Sequence, residues 1–132
     1  MLRVADLIRG QNILSIPNTM SVLEAARFMT DHNIGGVPII SDGELIGMFT
    51  ERDLMRRVVS AGRSPASTLV SEVMTPRPRT VSPDDSVEEC LFTMREYGFR
   101  HLPVCDGQRL AGMLSLRDLL MHAAVERRAE AS

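Results

Sequence analysis

The sequence predicts an α+β fold built from two copies of one β-α-β-β-α unit. Three observations predict it. The chain matches itself when it is shifted by 65 residues, each copy has a helix-start signal of the S-x-x-E type, and each copy has two apolar strands around an Asp-Gly turn. Because one copy cannot bury its own apolar faces, we expect the two copies to pack sheet to sheet about a pseudo-twofold axis.

The internal repeat is the strongest signal in the sequence. It needs no gap between Ile16 and Leu54, which align with Val81 and Leu119. Residues of the first copy that recur in the second include Ser21, Glu24, Met29, Pro38, Gly47 and Asp53. The chain is therefore divided into repeat 1 (1–59), a linker (60–69), repeat 2 (70–128) and a tail (129–132). The two repeats are expected to form one globular module.

Each copy is predicted to start with a short helical turn and a short apolar strand. The helical turns are Val4–Arg9 and Val70–Met74, and the strands are Ile13–Ile16 and Arg79–Val81. Each turn precedes the ungapped part of the repeat, and there the second copy has one residue less.

The remaining elements follow in the same order in both copies. A capping box, Ser21 with Glu24 and Ser86 with Glu89, starts an amphipathic helix with one apolar stripe. A hairpin follows, and a second helix closes the copy. The predicted hairpin strands are Val37–Ile40, Leu45–Phe49, Leu102–Cys105 and Leu110–Leu114, and the closing helices are Glu51–Ala61 and Leu116–Arg128.

Composition and charge restrict the class of protein. The chain has 132 residues, 44% hydrophobic and 24% charged, which is the balance of a soluble globular domain. A net charge of -2 argues against nucleic-acid binding, and no apolar run approaches the roughly 18 residues of a membrane span. The N-terminus lacks the apolar region of a signal peptide, and Cys90 and Cys105 form no C-x-x-C pair. We expect reduced thiols, a cytoplasmic location and, from Met1 and the polar tail, a whole stand-alone chain.

Two phrases carry a resemblance to a known family. They are His32–Leu54 (HNIGGVPIISDGELIGMFTERDL) and Tyr97–Leu119 (YGFRHLPVCDGQRLAGMLSLRDL). In tandem and at matched spacing they resemble the CBS-domain pair, or Bateman module, and the likeness extends over roughly Val4–Ala124. It is greatest to small prokaryotic proteins that consist of a CBS pair and little else. The predicted fold is therefore a tandem CBS repeat.

The resemblance implies a regulatory module that binds an adenosine-containing ligand in two clefts between the repeats. AMP comes first among the candidates, with ATP, NAD and S-adenosylmethionine after it. In such modules the Asp of a T/S-x-x-D phrase holds the ribose hydroxyls, and the Thr or Ser faces a phosphate. These residues are Thr50 with Asp53, and Ser115 with Asp118. The residues that the resemblance places against adenine are Ile16, Val37 and Pro38 in one cleft and Val81, Leu102 and Pro103 in the other.

The chemistry of the T/S-x-x-D phrase allows two interpretations. A carboxylate can accept two hydrogen bonds from a vicinal diol, and a helix N-terminus suits a phosphate. The same spacing also makes an ordinary helix cap, with Thr50 as the N-cap and Asp53 as the acid of the first turn. Spacing alone favours capping, whereas the recurrence of Arg-Asp-Leu in both copies favours ligand binding.

Arg100 and His101 make the two clefts unequal. They precede the Leu-Pro-Val strand of the second copy, where the first copy has Gly35 and Gly36. They are interpreted either as a solvated loop or as phosphate contacts that reach the T-x-x-D phrase of the other copy. We predict that the cleft with Asp53 is the better phosphate site, and that the other cleft takes a less phosphorylated group or none.

No catalytic or metal motif is found in the sequence. The three His and two Cys lack zinc spacing, and no Walker loop, G-x-S-x-G or H-E-x-x-H occurs. We predict no catalytic residue, no bound metal and no enzymatic activity, although the two Asp residues keep a nucleotide hydrolase open as an alternative.

The predicted function is a nucleotide sensor that signals to a separate partner protein, because the chain has no catalytic domain of its own to regulate. The resemblance also implies a homodimer. The alternative is a protein-interaction or dimerisation module whose ligand clefts are vestigial.

Overall fold

A computed structural model describes residues 2–131, with side chains described through residue 122 and at residues 124 and 128. The elements in chain order are α1 (Val4–Ile8), β1 (Ile16–Pro17), α2 (Val22–Asp31), β2 (Gly36–Ser41), β3 (Glu44–Thr50), α3 (Glu51–Asp53), a π-helix (Leu54–Val59), a 3-10 turn (Pro65–Ser67), α4 (Val70–Val73), β4 (Thr75–Pro76), α5 (Val87–Tyr97), β5 (His101–Asp106), β6 (Arg109–Ser115) and α6 (Leu116–Ala131). The predicted α+β class is confirmed. Helix α6 continues into the segment predicted as a tail, whose last residue, Ser132, lies outside the described residues.

The chain folds as two compact units. The central unit comprises Leu14–Pro78, and the terminal unit comprises the residues up to Ile13 together with those from Arg79 onward. Each unit therefore combines one copy's hairpin and central helix with the leading helix of the other copy. Helix α4 belongs to the central unit and α1 to the terminal unit.

Backbone hydrogen bonds hold each leading helix in its unit. In the terminal unit, the amide of Val4 donates to the Asp85 carbonyl at 2.8 Å. In the central unit, the amide of Val70 donates to the Met20 carbonyl at 2.9 Å. Both helices also bury valines, of which Val4 and Val70 are 0% exposed. Core packing therefore stabilises each leading helix in its unit, in addition to the hydrogen bonds.

A β-hairpin forms the centre of the central unit. Strands β2 and β3 pair antiparallel around Asp42 and Gly43, both with positive φ, as the Asp-Gly signal predicts. Strand β1 runs parallel to β2, with Ile16 opposite Ile39. Helix α2 starts at the predicted cap, where Ser21 Oγ accepts from the Glu24 amide at 3.1 Å. The core residues of this unit are Ile16, Val22, Ala25, Met29, Val37, Ile39, Phe49, Val58, Val70 and Val73.

The terminal unit repeats this plan. Strands β5 and β6 pair antiparallel, with His101 opposite Ser115. Helix α5 ends at Gly98, whose φ of 70 is the left-handed conformation that glycine adopts at low cost. The core residues of this unit are Val4, Val81, Val87, Cys90, Met94, Leu102, Val104, Leu114 and Leu119.

The short elements depart from the sequence predictions. The first strand predicted at Ile13–Ile16 is found at Ile16–Pro17, and the strand predicted at Arg79–Val81 is reduced to one parallel bridge between Val81 and Val104. Prolines at positions 78 and 83 bracket that bridge, and proline has no amide to extend a ladder. The predicted closing helix Glu51–Ala61 is a single α-helical turn that continues as a π-helix.

Candidate functional site

The T-x-x-D phrase of the central unit lies where β3 turns into α3. Thr50 Oγ1 accepts from the Asp53 amide at 3.2 Å, and Asp53 Oδ2 accepts from the Thr50 amide at 3.0 Å. The hydroxyl of Thr50 also donates to Asp53 Oδ2 at 3.2 Å. The capping interpretation is therefore realised here, since both reciprocal bonds of a capping box are present.

Asp53 has two further partners that the phrase does not contain. Thr75 Oγ1 donates to Asp53 Oδ1 at 3.2 Å, with Oδ2 at 3.5 Å. Arg57 Nε lies 3.8 Å from Oδ1, and Arg57 Nη1 donates to the Met74 carbonyl at 2.9 Å. The side chain of Asp53 is 8% exposed, and these hydrogen bonds hold its carboxylate in one orientation. Neither partner is evident from the sequence, where Arg57 resembles a solvated helix residue.

The S-x-x-D phrase of the terminal unit has the same backbone geometry and a different carboxylate. Ser115 Oγ accepts from the Asp118 amide at 3.1 Å, which matches the cap at Thr50. Asp118 is exposed, and its carboxylate has no hydrogen-bond partner among the described residues. The two copies therefore present one preorganised carboxylate and one open carboxylate.

The amides at both helix starts are mostly occupied. The Glu51 amide donates to the Gly35 carbonyl at 3.0 Å, and the Leu116 amide donates to the Arg100 carbonyl at 2.8 Å. Together with the amide bonds of Asp53 and Asp118 described above, these contacts leave few backbone N–H groups at either helix start to bind a phosphate. A phosphate would depend on the hydroxyls and on nearby cationic side chains.

The structure places Arg100 and His101 beside the S-x-x-D phrase of their own unit. His101 is the strand partner of Ser115, and the Arg100 carbonyl is bonded to the first residue of α6. Gly36 holds the equivalent place opposite Thr50 in the central unit. The predicted approach of Arg100 and His101 to the other copy's phrase stays a prediction.

All six residues expected to contact adenine are buried. Pro38 and Pro103 are buried on the strands β2 and β5. The exposed fractions of the other four are 1% for Ile16, 0% for Val37, 8% for Val81 and 1% for Leu102. The side chains of these four residues belong to the two cores, so a base contact at their positions would involve mainly backbone atoms.

The cysteines are buried thiols. Burial, with the Asp85 and Glu89 carboxylates nearby, raises the pKa of Cys90 to about 11, and burial raises the pKa of Cys105. A neutral buried thiol is a poor nucleophile and a poor metal ligand. Among the described side chains, no three or more His, Cys, Asp and Glu are grouped as a metal ion would require. In the part of the chain that the structure describes, no helix is both long and apolar enough to cross a membrane.

Comparison with known proteins supplies the family. The model of the CBS domain matches the chain twice, over residues 4–60 and 70–124. The chain belongs to the CBS-domain family. It is 35% identical over 122 residues to the CBS domain-containing protein YhcV of Bacillus subtilis, covering 92% of this chain and 86% of that protein. Proteins with such CBS pairs are typically regulatory rather than catalytic.

Solved structures of CBS pairs have the same fold. A CBS-domain protein of Burkholderia ambifaria matches with a TM-score of 0.86 and 35% identity, over 92% of this chain and 93% of that one. CBSX2, solved in complex with AMP, matches with a TM-score of 0.81 and 26% identity, over 96% and 99%. Hypoxic Response Protein I, solved with two coordinated zinc ions, matches with a TM-score of 0.80 and 28% identity, over 92% and 98%. Relatives of this chain thus include an AMP-bound and a zinc-bound protein.

Proposed function

We propose that this chain is a regulatory module that binds an adenosine-containing ligand, with AMP as the first candidate, through its T/S-x-x-D phrases. The observation that carries the proposal is the Thr50–Asp53 junction. There a buried carboxylate is oriented by three donors, which are the amide and the hydroxyl of Thr50 and the hydroxyl of Thr75. Its equivalent, Ser115–Asp118, keeps the same backbone geometry. The AMP complex of CBSX2 supports an adenosine ligand over other ribose compounds.

Ligand binding at Asp53 requires an exchange of hydrogen bonds. A carboxylate has about four acceptor positions, and donors from Thr50 and Thr75 occupy three of them. If the Thr50 hydroxyl turns its hydrogen toward a phosphate oxygen, Asp53 Oδ2 loses that donor, and the vacated position together with the fourth one can accept the two hydroxyls of a ribose diol. The carboxylate then accepts about four hydrogen bonds, so the exchange leaves no buried acceptor unpaired.

The two carboxylates should contribute unequally to affinity. Asp53 is already oriented, whereas the exposed Asp118 has to lose side-chain freedom when it binds. We therefore keep the prediction that the Asp53 phrase is the stronger site. If Arg100 and His101 act within their own unit, they would favour a phosphate at Ser115 instead.

The test is isothermal titration of AMP, ATP, NAD and S-adenosylmethionine into the wild-type protein, Asp53→Asn and Asp118→Asn. Asparagine keeps an oxygen that can accept the Thr50 amide, so the cap survives while the charge is lost. We expect saturable heat with AMP and a loss of affinity of about tenfold or more for Asp53→Asn, with a smaller loss for Asp118→Asn.

The other outcomes separate the alternatives. A larger loss from Asp118→Asn would keep the function and reverse the ranking of the two phrases. If none of the four ligands gives heat or raises the melting temperature at millimolar concentration, the sensor proposal fails and an interaction module with vestigial sites is favoured. Thermal melts of both variants control for unfolding.

The output of the module is proposed to be a change of contacts with a separate protein in the cytoplasm, without catalysis by this chain. A homodimer is part of this proposal. Exposed apolar side chains on the closing helices support it: Met55 and Val59 are 56% and 65% exposed, and Leu120 and Met121 are 51% and 59% exposed. Light scattering of wild type and of Met55→Glu with Leu120→Glu tests it, and a monomeric wild type would contradict it.

A further inference from the structure

The segment Met74–Pro78 carries the chain out of the central unit. Its residues Thr75 and Pro76 form β4, which pairs antiparallel with Met48 and Gly47 of β3. Strand β3 ends two residues later at Thr50. The pairing therefore brings Thr75 to the strand end at which the T-x-x-D phrase begins.

A glycine makes this close approach possible. A Cβ atom built on Gly47 would overlap Met74 Sδ and would lie 3.0 Å from Met74 Cγ and 3.1 Å from the Thr75 carbonyl oxygen. Arg57 also holds this segment, since its Nη1 donates to the Met74 carbonyl at 2.9 Å. Thr75 is thus held by backbone pairing and by a side chain, and its position does not depend on Asp53 alone.

The hydroxyl of Thr75 contacts both oxygens of Asp53. The distances are 3.2 Å to Oδ1 and 3.5 Å to Oδ2, whereas both donors of Thr50 reach Oδ2. Two donor groups on different oxygens fix the plane of the carboxylate as well as its direction. A vicinal diol is recognised through both oxygens, so this plane decides whether two ribose hydroxyls can bind together.

We propose that Thr75 is a positioning residue that sets the plane of the Asp53 carboxylate for a ribose diol, which makes the connector between the two units part of ligand recognition. This inference rests on the proposed function of Asp53 and adds a residue from outside the T-x-x-D phrase. Recognition and the docking of β4 are then linked reciprocally: a bound diol stabilises β4 against β3, and release of β4 weakens the diol contact.

The described residues of the terminal unit do not repeat this arrangement. Ile8 packs where Met74 packs, because a Cβ on Gly112 would lie 2.8 Å from Ile8 Cγ2. The residue after Ile8 is Arg9, whose guanidinium bonds Asp6 at 3.3 Å. Among the residues that the structure describes, none offers Asp118 a hydroxyl donor of this kind, so we assign the plane-setting role to the central unit.

The test compares AMP with 2′,3′-dideoxyadenosine monophosphate, which lacks the diol, by titration into wild type, Thr75→Val, Thr75→Ser and Thr68→Val. Thr68 is the matched control, because it is a buried threonine of the same unit whose hydroxyl donates to the Ser64 carbonyl at 2.7 Å. We expect Thr75→Val to lower AMP affinity about fivefold and to leave the dideoxy compound unchanged. Thr75→Ser should restore the preference for AMP, and Thr68→Val should keep it.

Each result decides between the two proposals. If wild type binds neither of these nucleotides nor ATP, NAD or S-adenosylmethionine, the proposed function fails and the role of Thr75 fails with it. If wild type binds AMP and Thr75→Val keeps the wild-type ratio of the two affinities, the positioning role is overturned while the proposed function stands. If Thr68→Val reduces the ratio as much as Thr75→Val does, the effect reflects the stability of the unit, and the positioning role is again overturned.

Discussion

Gly47→Ala adds one methyl group where β4 lies closest to β3. The new Cβ would meet Met74 Sδ and Cγ and the Thr75 carbonyl oxygen, the last at 3.1 Å. Gly47 does not have a positive φ, so its backbone accepts alanine and the strain comes from packing alone. The variant therefore isolates the docking of the connector on the strand.

Two opposing effects determine the magnitude. Replacing glycine by alanine restricts the unfolded chain and stabilises by about 0.4–1 kcal/mol. Overpacking costs about 1–3 kcal/mol, and although the Met74 side chain can turn away, the backbone oxygen of Thr75 has to shift by a few tenths of an ångström. The net expectation is a destabilisation of about 1–2 kcal/mol, together with a weaker preference for AMP over its dideoxy analogue, because Thr75 moves away from Asp53.

Urea unfolding followed by circular dichroism, on Gly47→Ala, Met74→Ala and the double variant, measures this. Met74→Ala removes the sulfur and Cγ, so the double variant should be more stable than the sum of the single changes by about 1 kcal/mol or more. Strict additivity, or a Gly47→Ala protein that unfolds at higher urea than wild type, would refute the packing argument. Gly112→Ala, which meets Ile8 in the terminal unit, should destabilise without changing nucleotide preference.

Two further predictions concern the terminal unit. The side-chain amide of Gln11 donates to the Met113 carbonyl at 2.9 Å and accepts from the Met113 amide at 2.8 Å, so Gln11→Ala should lower the free energy of unfolding by about 1–2 kcal/mol. Gln11→Glu can accept and cannot donate, so its stability should lie between those of wild type and Gln11→Ala. A melting temperature unchanged in both variants would contradict this. Burial raises the pKa of Cys90 from 9.0 to about 11, so between these pH values the folded protein keeps a proton that the unfolded chain loses. The free energy of unfolding should therefore be unaffected by this thiol below pH 9.0 and should fall as the pH rises from 9.0 toward 11. Thiol labelling of the folded protein should accordingly be slow at neutral pH and fast in denaturant, and rapid labelling of Cys90 or Cys105 in the native protein would disprove it.

The sequence predicts the long elements well because their signals are local. The serine caps at Ser21 and Ser86 and the two-residue hairpin loops depend on residues a few positions apart, and each is found where expected, with the loops at Asp42-Gly43 and Gly107-Gln108. The reciprocal half of each predicted capping box is not formed among the described residues, and Glu24 Oε1 accepts from the Ser21 hydroxyl instead of the Ser21 amide. The strand predicted at Arg79–Val81 fails because a two-residue contact is decided by its partner strand and not by its own composition. The exchange of α1 and α4 between copies is likewise invisible, since a repeat reveals which residues are equivalent and not which copy they pack against.

In the candidate site, too, the features set by local sequence were predicted and those set by long-range contacts were not. Thr50, Asp53, Ser115 and Asp118 were predicted from the repeated phrase, and the cap geometry at each is what local spacing dictates. Their different surroundings could not be predicted, because Thr75 is 22 residues from Asp53 in sequence and reaches it only through strand pairing.

The two units pair the exposed backbone edge of their second hairpin strand in different ways, and this gives the two aspartates different surroundings. The edge of β3 at Met48 is covered by the backbone of β4, whereas the equivalent edge at Met113 is covered by the side-chain amide of Gln11. A strand that covers the edge also places its own side chains there, and in β4 one of them is the hydroxyl of Thr75, which donates to Asp53. An amide that substitutes for a strand satisfies the same backbone groups and supplies no donor to the neighbouring carboxylate. The repeat therefore retains both aspartates while, among the described residues, Asp53 alone has donors on both carboxylate oxygens. This difference in how each strand edge is covered is the structural basis of the proposal that the two sites bind a ligand unequally.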